Sequence, residues 1–200
     1  MTRYTASLPP DYFEERYAAD PDPWRFATSA YERAKYAATL AALPRPRYAA
    51  ALEVGCSIGV LTRRLAERCD ALVALDVAEA ALDQARARCR DLAHVRFVQA
   101  QVPGAWPAGG FDLILLSEVV YYLDAADVGR LAECLRDSLR PGGDVVLVHW
   151  TGETHYPLTG DEAAQILIDR TAPFLTLVHQ ARTDEYRLDV LRQGPAEPRA

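Results

Sequence analysis

The chain of 200 residues lacks the cysteine spacing that would cross-link it or hold a metal. Cys56, Cys69, Cys89 and Cys134 form no CxxC pair and have no histidine at ligand spacing, so reduced thiols and no metal are expected. Long apolar runs are missing as well. Asp112, Glu118 and Asp124 break the most hydrophobic region well short of a membrane span. The opening MTRYTASLPP has no basic segment followed by an apolar one, so a cytoplasmic rather than a secreted protein is expected. Positive charge is in deficit, with 22 Lys and Arg against 28 Asp and Glu and a net charge of -6. Such a surface repels phosphate backbones. The clusters Arg63, Arg64, Arg68 and Arg86, Arg88, Arg90 lie on predicted helices beside acidic residues, as solvated helix faces do. Neither nucleic acid nor membrane is therefore an expected partner. No internal repeat or low-complexity tract interrupts the chain.

What is present is an alternation of short apolar runs and helical segments from residue 50 onward. Strands are predicted at Ala50–Val54, Ala71–Leu75, Val95–Val98, Phe111–Leu116 and Asp144–His149. Helices are predicted between them at Gly59–Arg68, Glu79–Arg90 and Asp127–Leu139. Short strands separated by helices imply a mostly parallel sheet covered on both faces. The predicted fold class is therefore α/β, doubly wound. Pro141-Gly142-Gly143 reads as the turn that ends a helix and launches a strand. Residues 1–48 form an aromatic, helical arm, with Trp24 after two prolines and a helix-like stretch from Ser29 to Leu43. Residues 49–150 form the sheet core of a single domain. Residues 151–192 add a loop, a helix capped at Thr159 or Asp161, and strand-like runs at Phe174–Gln180 and Tyr186–Leu191. Residues 193–200 read as a frayed tail.

The sharpest local signal is Glu53-Val54-Gly55-Cys56-Ser57-Ile58-Gly59, a strand entering a glycine turn and then a helix. Gly55 can take backbone angles closed to other residues and lets a ligand press against the turn, while Gly59 lets the helix approach the sheet. Asp76 ends the next strand, where a carboxylate can accept hydrogen bonds from the ribose hydroxyls of an adenosine-containing cofactor. A dinucleotide site uses G-x-G-x-x-G to seat a pyrophosphate on a helix N-terminus. Here the spacing is G-x-x-x-G, with Ser57 at the middle position and no third glycine. Glu53 would repel a pyrophosphate but suits the α-ammonium of S-adenosylmethionine. A nicotinamide dehydrogenase with a degenerate loop and a non-catalytic donor-binding protein stay open as alternatives.

Leu52–Gly59, Asp76, Phe111-Asp112-Leu113-Ile114 and Leu139-Arg140-Pro141-Gly142-Gly143 resemble, in order, the motifs of class I S-adenosylmethionine-dependent methyltransferases. Within that superfamily the chain resembles the nodulation protein S (NodS)-like methyltransferases. The segments are Tyr12-Phe13-Glu14, Asp22-Pro23-Trp24, Tyr31-Glu32-Arg33, Lys35, Glu53-Val54-Gly55-Cys56, Ser117–Leu123 and Tyr186–Leu191. The resemblance implies a Rossmann-like seven-stranded sheet and S-adenosylmethionine as donor, with S-adenosylhomocysteine as product. Glu53, Gly55 and Gly59, with Cys56 and Ser57 in the loop, would form the donor's amino-acid pocket, and Asp76 would hold its ribose. Val77 would line the adenine face. Gln101 stands where many relatives have an Asp that bonds the adenine amino group; its side-chain carbonyl can accept the same bond, with Val102 beside it. Ser117 and Glu118 would face the sulfonium and the acceptor, at the carboxyl edge of the sheet.

Trp24 is a candidate lid over the donor, with plain packing the competing role. Of Tyr121 and Tyr122, one is expected in the core, with Tyr122 favoured as the buried one and Tyr121 at the site. His149 ends a strand, where a structural role and a catalytic one are both expected of a histidine. The resemblance implies N-methylation of the free amine of a deacetylated amino sugar or chito-oligosaccharide, in nodulation-type oligosaccharide biosynthesis. Glu118 or His149 would take the acceptor's proton. N- or O-methylation of a small natural-product intermediate is the alternative acceptor chemistry.

Overall fold

Thirteen helices and strands follow one another in the computed structural model, which describes residues 3–194. The arm contributes α1 (Pro10–Ala19) and α2 (Ala30–Ala41). Then come β1 (Ala51–Val54), α3 (Val60–Leu65), β2 (Leu72–Asp76), α4 (Glu79–Arg88), β3 (Val95–Gln99) and β4 (Phe111–Ser117). The chain continues through α5 (Ala125–Ser138), β5 (Leu139–Trp150), α6 (Gly160–Thr171), β6 (Leu175–Arg182) and β7 (Tyr186–Gln193). The seven strands form one sheet in the order β3-β2-β1-β4-β5-β7-β6, parallel except for β7, which runs against both of its neighbours.

The sheet is buried on both faces because its central strands carry apolar residues in both parities. On β4, Ile114 and Leu116 pack with Val128, Leu131 and Leu135 of α5 and Leu167 of α6. Leu113 and Leu115 point the other way, into a core with Tyr36 of α2 and Leu61 and Leu65 of α3. The strand order reverses between β1 and β4, so the helices after them leave on opposite faces and a crevice opens at the carboxyl ends of these strands. Among the described residues, no helix is long and apolar enough to cross a membrane.

Three local expectations are corrected. Pro141-Gly142-Gly143 is no connecting turn: α5 ends at Ser138, β5 begins at Leu139, and the triplet sits inside the strand. It is accommodated as a bulge, because Phe111 opposes Leu139 while Leu113 already opposes Asp144. Gly142 takes the left-handed φ of +72° that this detour requires. The predicted helix to Arg68 tightens into a 3-10 turn over Ala66–Arg68. Gln193, placed in the tail, is the last residue of β7, paired with Leu175; residues 195–200 of that tail lie outside the described residues.

The arm is tied across the crevice by its backbone. Tyr4 N–H donates to His155 O and Leu8 N–H to Tyr122 O, both at 2.9 Å. Glu14 of α1 accepts from Glu79 N–H at 2.8 Å, at the start of α4, where a carboxylate complements the helix dipole.

Candidate active site

At the end of β1, Gly55 turns through φ +78° and donates its N–H to Leu75 O at 2.8 Å. A Cβ there would stand 2.3 Å from Val119 Cγ2, so any other residue would force the Val119 side chain aside. Gly59, also at φ +78°, brings α3 against α4: its Cβ would stand 2.9 Å from Ala85 Cα. Between them Ser57 is held at φ +50°, and its N–H donates to Asp76 Oδ2 at 2.8 Å. Ala78 N–H donates to Asp76 Oδ1 at 3.0 Å. Burial raises the Asp76 carboxyl above its ordinary value, and these backbone donors oppose the rise. Asp76 thus pins the glycine turn to the end of β2.

Glu53 is 1% exposed, and its Oε2 has no hydrogen-bond partner. Burial pushes its carboxyl up to about 8, with the Thr62 hydroxyl opposing and Asp76 adding to the rise. A buried carboxylate with an unused oxygen is costly unless a cation meets it. The α-ammonium of S-adenosylmethionine would meet that need, and the glycine turn carries no side chain that would stand in its way, so the residues fit the donor.

A cavity of about 490 Å³ runs along this edge. It is lined by Trp24, Glu53, Gly55, Cys56, Ser57, Asp76, Val77, Gln101, Val102, Ser117, Glu118 and Tyr121. Gly59 and His149 are not in its wall. Gly59 acts through helix packing. His149 is fully buried behind Tyr121, with ring centroids 5.4 Å apart, and its Nε2 accepts Val120 N–H at 3.2 Å. Burial lowers its pKa to about 4, against Glu118 and Asp189, so the ring is neutral. Tyr121 is the more buried of the tyrosine pair, with Tyr122 half-buried, reversing the expectation; both reach the cavity wall. The reversal follows from the 3-10 turn at Val120–Tyr122, which rotates Tyr121 inward under Tyr156, stacked at 5.1 Å.

The arm closes the donor end. Tyr17 hydrogen-bonds the Ser57 hydroxyl and meets Trp24 edge-on at 5.6 Å, and Trp24 stacks on Phe26. At the other end, α2 delivers four side chains that sequence reasoning did not assign to the site: Tyr31, Glu32, Lys35 and Tyr36. Lys35 is the single lysine of the chain, a signal present in the sequence. Its ammonium donates to Glu32 Oε1 at 3.0 Å and to Glu118 Oε1, and lies 5.0 Å from the centre of the Tyr31 ring. Glu118 stands at φ +58°, and its Oε2 accepts Trp150 N–H at 2.9 Å. Burial alone would raise the Glu118 carboxyl, yet the charge and hydrogen bond of Lys35, with the Trp150 N–H, outweigh it and hold the group below its ordinary value. Glu118 therefore clasps α2 to the ends of β4 and β5, with both oxygens engaged.

This sheet, with its reversed strand, glycine bend and carboxylate at the end of β2, is that of the class I S-adenosylmethionine-dependent methyltransferases. The family model for Nodulation protein S (NodS) matches residues 10–147, and the chain belongs to that family. It is 40% identical over 131 residues to Nodulation protein S of Rhizobium tropici, covering 64% of this chain and 55% of that protein. With Nodulation protein S of Bradyrhizobium diazoefficiens it shares 41% identity over 124 residues, 62% of this chain and 58% of that one. The match thus spans less than two thirds of the length of these curated relatives. The crystal structure of N-methyltransferase NodS from Bradyrhizobium japonicum WM9, in complex with S-adenosylhomocysteine, superposes with a TM-score of 0.80 at 26% identity. That superposition covers 92% of this chain and 98% of the other.

Proposed function

We propose that this chain is an S-adenosylmethionine-dependent N-methyltransferase whose acceptor is the free amine of a deacetylated amino sugar in a chito-oligosaccharide-like glycan. The observation that carries the donor half is the unpartnered oxygen of buried Glu53, in the same cavity wall as Asp76. Family membership and the relative titled N-methyltransferase support the acceptor half.

Bound in the crevice, S-adenosylmethionine supplies a methyl group already activated on a sulfonium. The chain's task is to bind, align and keep water out. Glu53 receives the donor's ammonium and Asp76 the ribose hydroxyls, while Asp76 keeps its two backbone donors. Val77 and Val102 flank the base, and Gln101 accepts from its amino group. Trp24 and Tyr17 cover the donor end. Tyr31, Tyr121 and Tyr122 line the acceptor side, where aromatic rings favour a positive centre. Four free thiols suit the reducing cytoplasm.

The test is methyl transfer from tritiated S-adenosylmethionine to glucosamine tetramer, with N-acetylglucosamine tetramer as control. Label is expected in the amine alone. Label in neither, with S-adenosylhomocysteine binding intact, would remove the glycan acceptor and leave the donor site standing.

A further inference from the structure

Two helices of this chain begin with the same four-residue pattern and use it differently. In α6, Thr159 and Glu162 form a reciprocal cap: Glu162 N–H donates to the Thr159 hydroxyl, and Thr159 N–H donates to Glu162 Oε2 at 2.8 Å. In α2, Ser29 accepts from Glu32 N–H at 3.3 Å, but the Glu32 carboxylate does not return to cap the helix. It turns inward instead. Its Oε1 accepts from Lys35, its Oε2 has no partner, and the residue is 7% exposed in the wall of the cavity.

Charge counting sharpens the point. Among the described residues that line the cavity, five are acidic (Glu32, Glu53, Asp76, Glu118 and Glu153) and one, Lys35, is basic. Lys35 stands between Glu32 and Glu118, so two carboxylates share one ammonium. Glu118 spends both oxygens on Lys35 and on Trp150 N–H, whereas Glu32 keeps one free. The trio is one cation short, and the vacancy is at Glu32 Oε2. Leaving a buried carboxylate oxygen unpaired is costly, and an incoming ammonium is the group that removes the cost.

From this geometry we infer that Glu32 is the acceptor anchor: its free oxygen receives the ammonium of the incoming amine, and Lys35 positions it from the opposite oxygen. The inference rests on the amine-methyltransferase reading and names the residue that selects the amine. Lys35 acts through Glu32 and is a positioning residue. Its ammonium also lies 5.0 Å from the centre of the Tyr31 ring. A neutral N-acetyl group offers Glu32 no cation and leaves the oxygen unpaired, so the site discriminates against acetylated sugars. Burial raises the Glu32 carboxyl, Lys35 pulls it back, Glu118 adds to the rise and Tyr36 opposes it.

Calorimetry on the full chain saturated with S-adenosylhomocysteine tests this, using glucosamine tetramer and N-acetylglucosamine tetramer as probes. The wild type is expected to bind the amine at least tenfold more tightly than the acetylated sugar. Glu32→Gln should erase that preference by weakening the amine alone, with S-adenosylhomocysteine affinity unchanged, and Glu32→Asp should restore part of it. A Glu32→Gln protein that keeps the preference overturns the inference. So does a wild type that binds S-adenosylhomocysteine but shows no preference for the amine, a measurement that needs no variant to fold. Absence of S-adenosylhomocysteine binding to the wild type would instead strike the underlying methyltransferase reading.

Discussion

The two ends of the cavity hold their carboxylates by different means. At the donor end, Asp76 is fixed by the N–H groups of Ser57 and Ala78, so its position is set by the backbone of adjacent loops. At the acceptor end, Glu118 is fixed by a lysine 83 residues earlier in the chain and by the end of β5. The first arrangement belongs to the sheet edge and survives wherever the strand–turn–helix is built. The second exists only when the arm is docked. The Asp76 carboxylate is thus placed by the core itself, and the Glu118 carboxylate by how α2 is pinned to the core.

Removing the pin should have the largest effect. Lys35→Met leaves Glu32 and Glu118 buried without their shared cation, and breaking a buried pair costs ~3–5 kcal/mol. A fall in Tm of roughly 10 °C is expected by calorimetric scanning. The double variant Lys35→Met/Glu118→Gln should recover part of it. A single variant as stable as wild type would mean that the arm is held by its other contacts and the two ends do not differ as described.

Asp76→Ala comes next. It removes two charge-assisted hydrogen bonds to the loop, each ~1.5–3 kcal/mol, together with the proposed contact to the ribose. Affinity for S-adenosylhomocysteine should fall at least tenfold by titration calorimetry, with acceptor-end preference read separately. Equal donor affinity would take Asp76 out of the donor site.

Glu53 makes the donor end pH-sensitive. Its folded value of about 8 lies above the ordinary carboxylate value of 4.5, so the folded protein keeps a proton that the unfolded chain releases. The stability this contributes is full below about pH 4.5, is lost as the pH rises toward 8, and is constant beyond. Denaturant midpoints of wild type and Glu53→Gln should therefore diverge across that interval, the variant being the flatter. Parallel curves would show that Glu53 is ionised throughout. The smallest effect is expected from Tyr17→Phe, which removes one hydrogen bond to Ser57, worth ~0.5–1.5 kcal/mol, and should loosen donor binding a few-fold.

The same contrast explains what the sequence disclosed. β1, β2 and β4 are short apolar runs bounded by turns, and the glycine bend with Asp76 repeats a local geometry, so fold and donor loop were legible from neighbouring residues. Lys35 was visible only as a family marker, because its two partners reach it through tertiary packing. His149 stood at a strand end, as an active-site residue does, but the side chain's burial behind Tyr121 is a packing outcome that no local pattern encodes. Pro141-Gly142-Gly143 carried the chemistry of a turn, and the sheet absorbed it as a bulge opposite Phe111–Leu113. In each case the pairing partner, rather than the residue type, decided the result.

The central claim is that one buried carboxylate, Glu53, and one amide-anchored carboxylate, Asp76, together hold a sulfonium nucleoside at the end of β1. Titration of S-adenosylhomocysteine into wild type and Glu53→Gln at pH 8 measures this directly. One site per chain is expected in the wild type, with affinity lowered at least tenfold in the variant. No binding to the wild type, or equal binding to both, would contradict it.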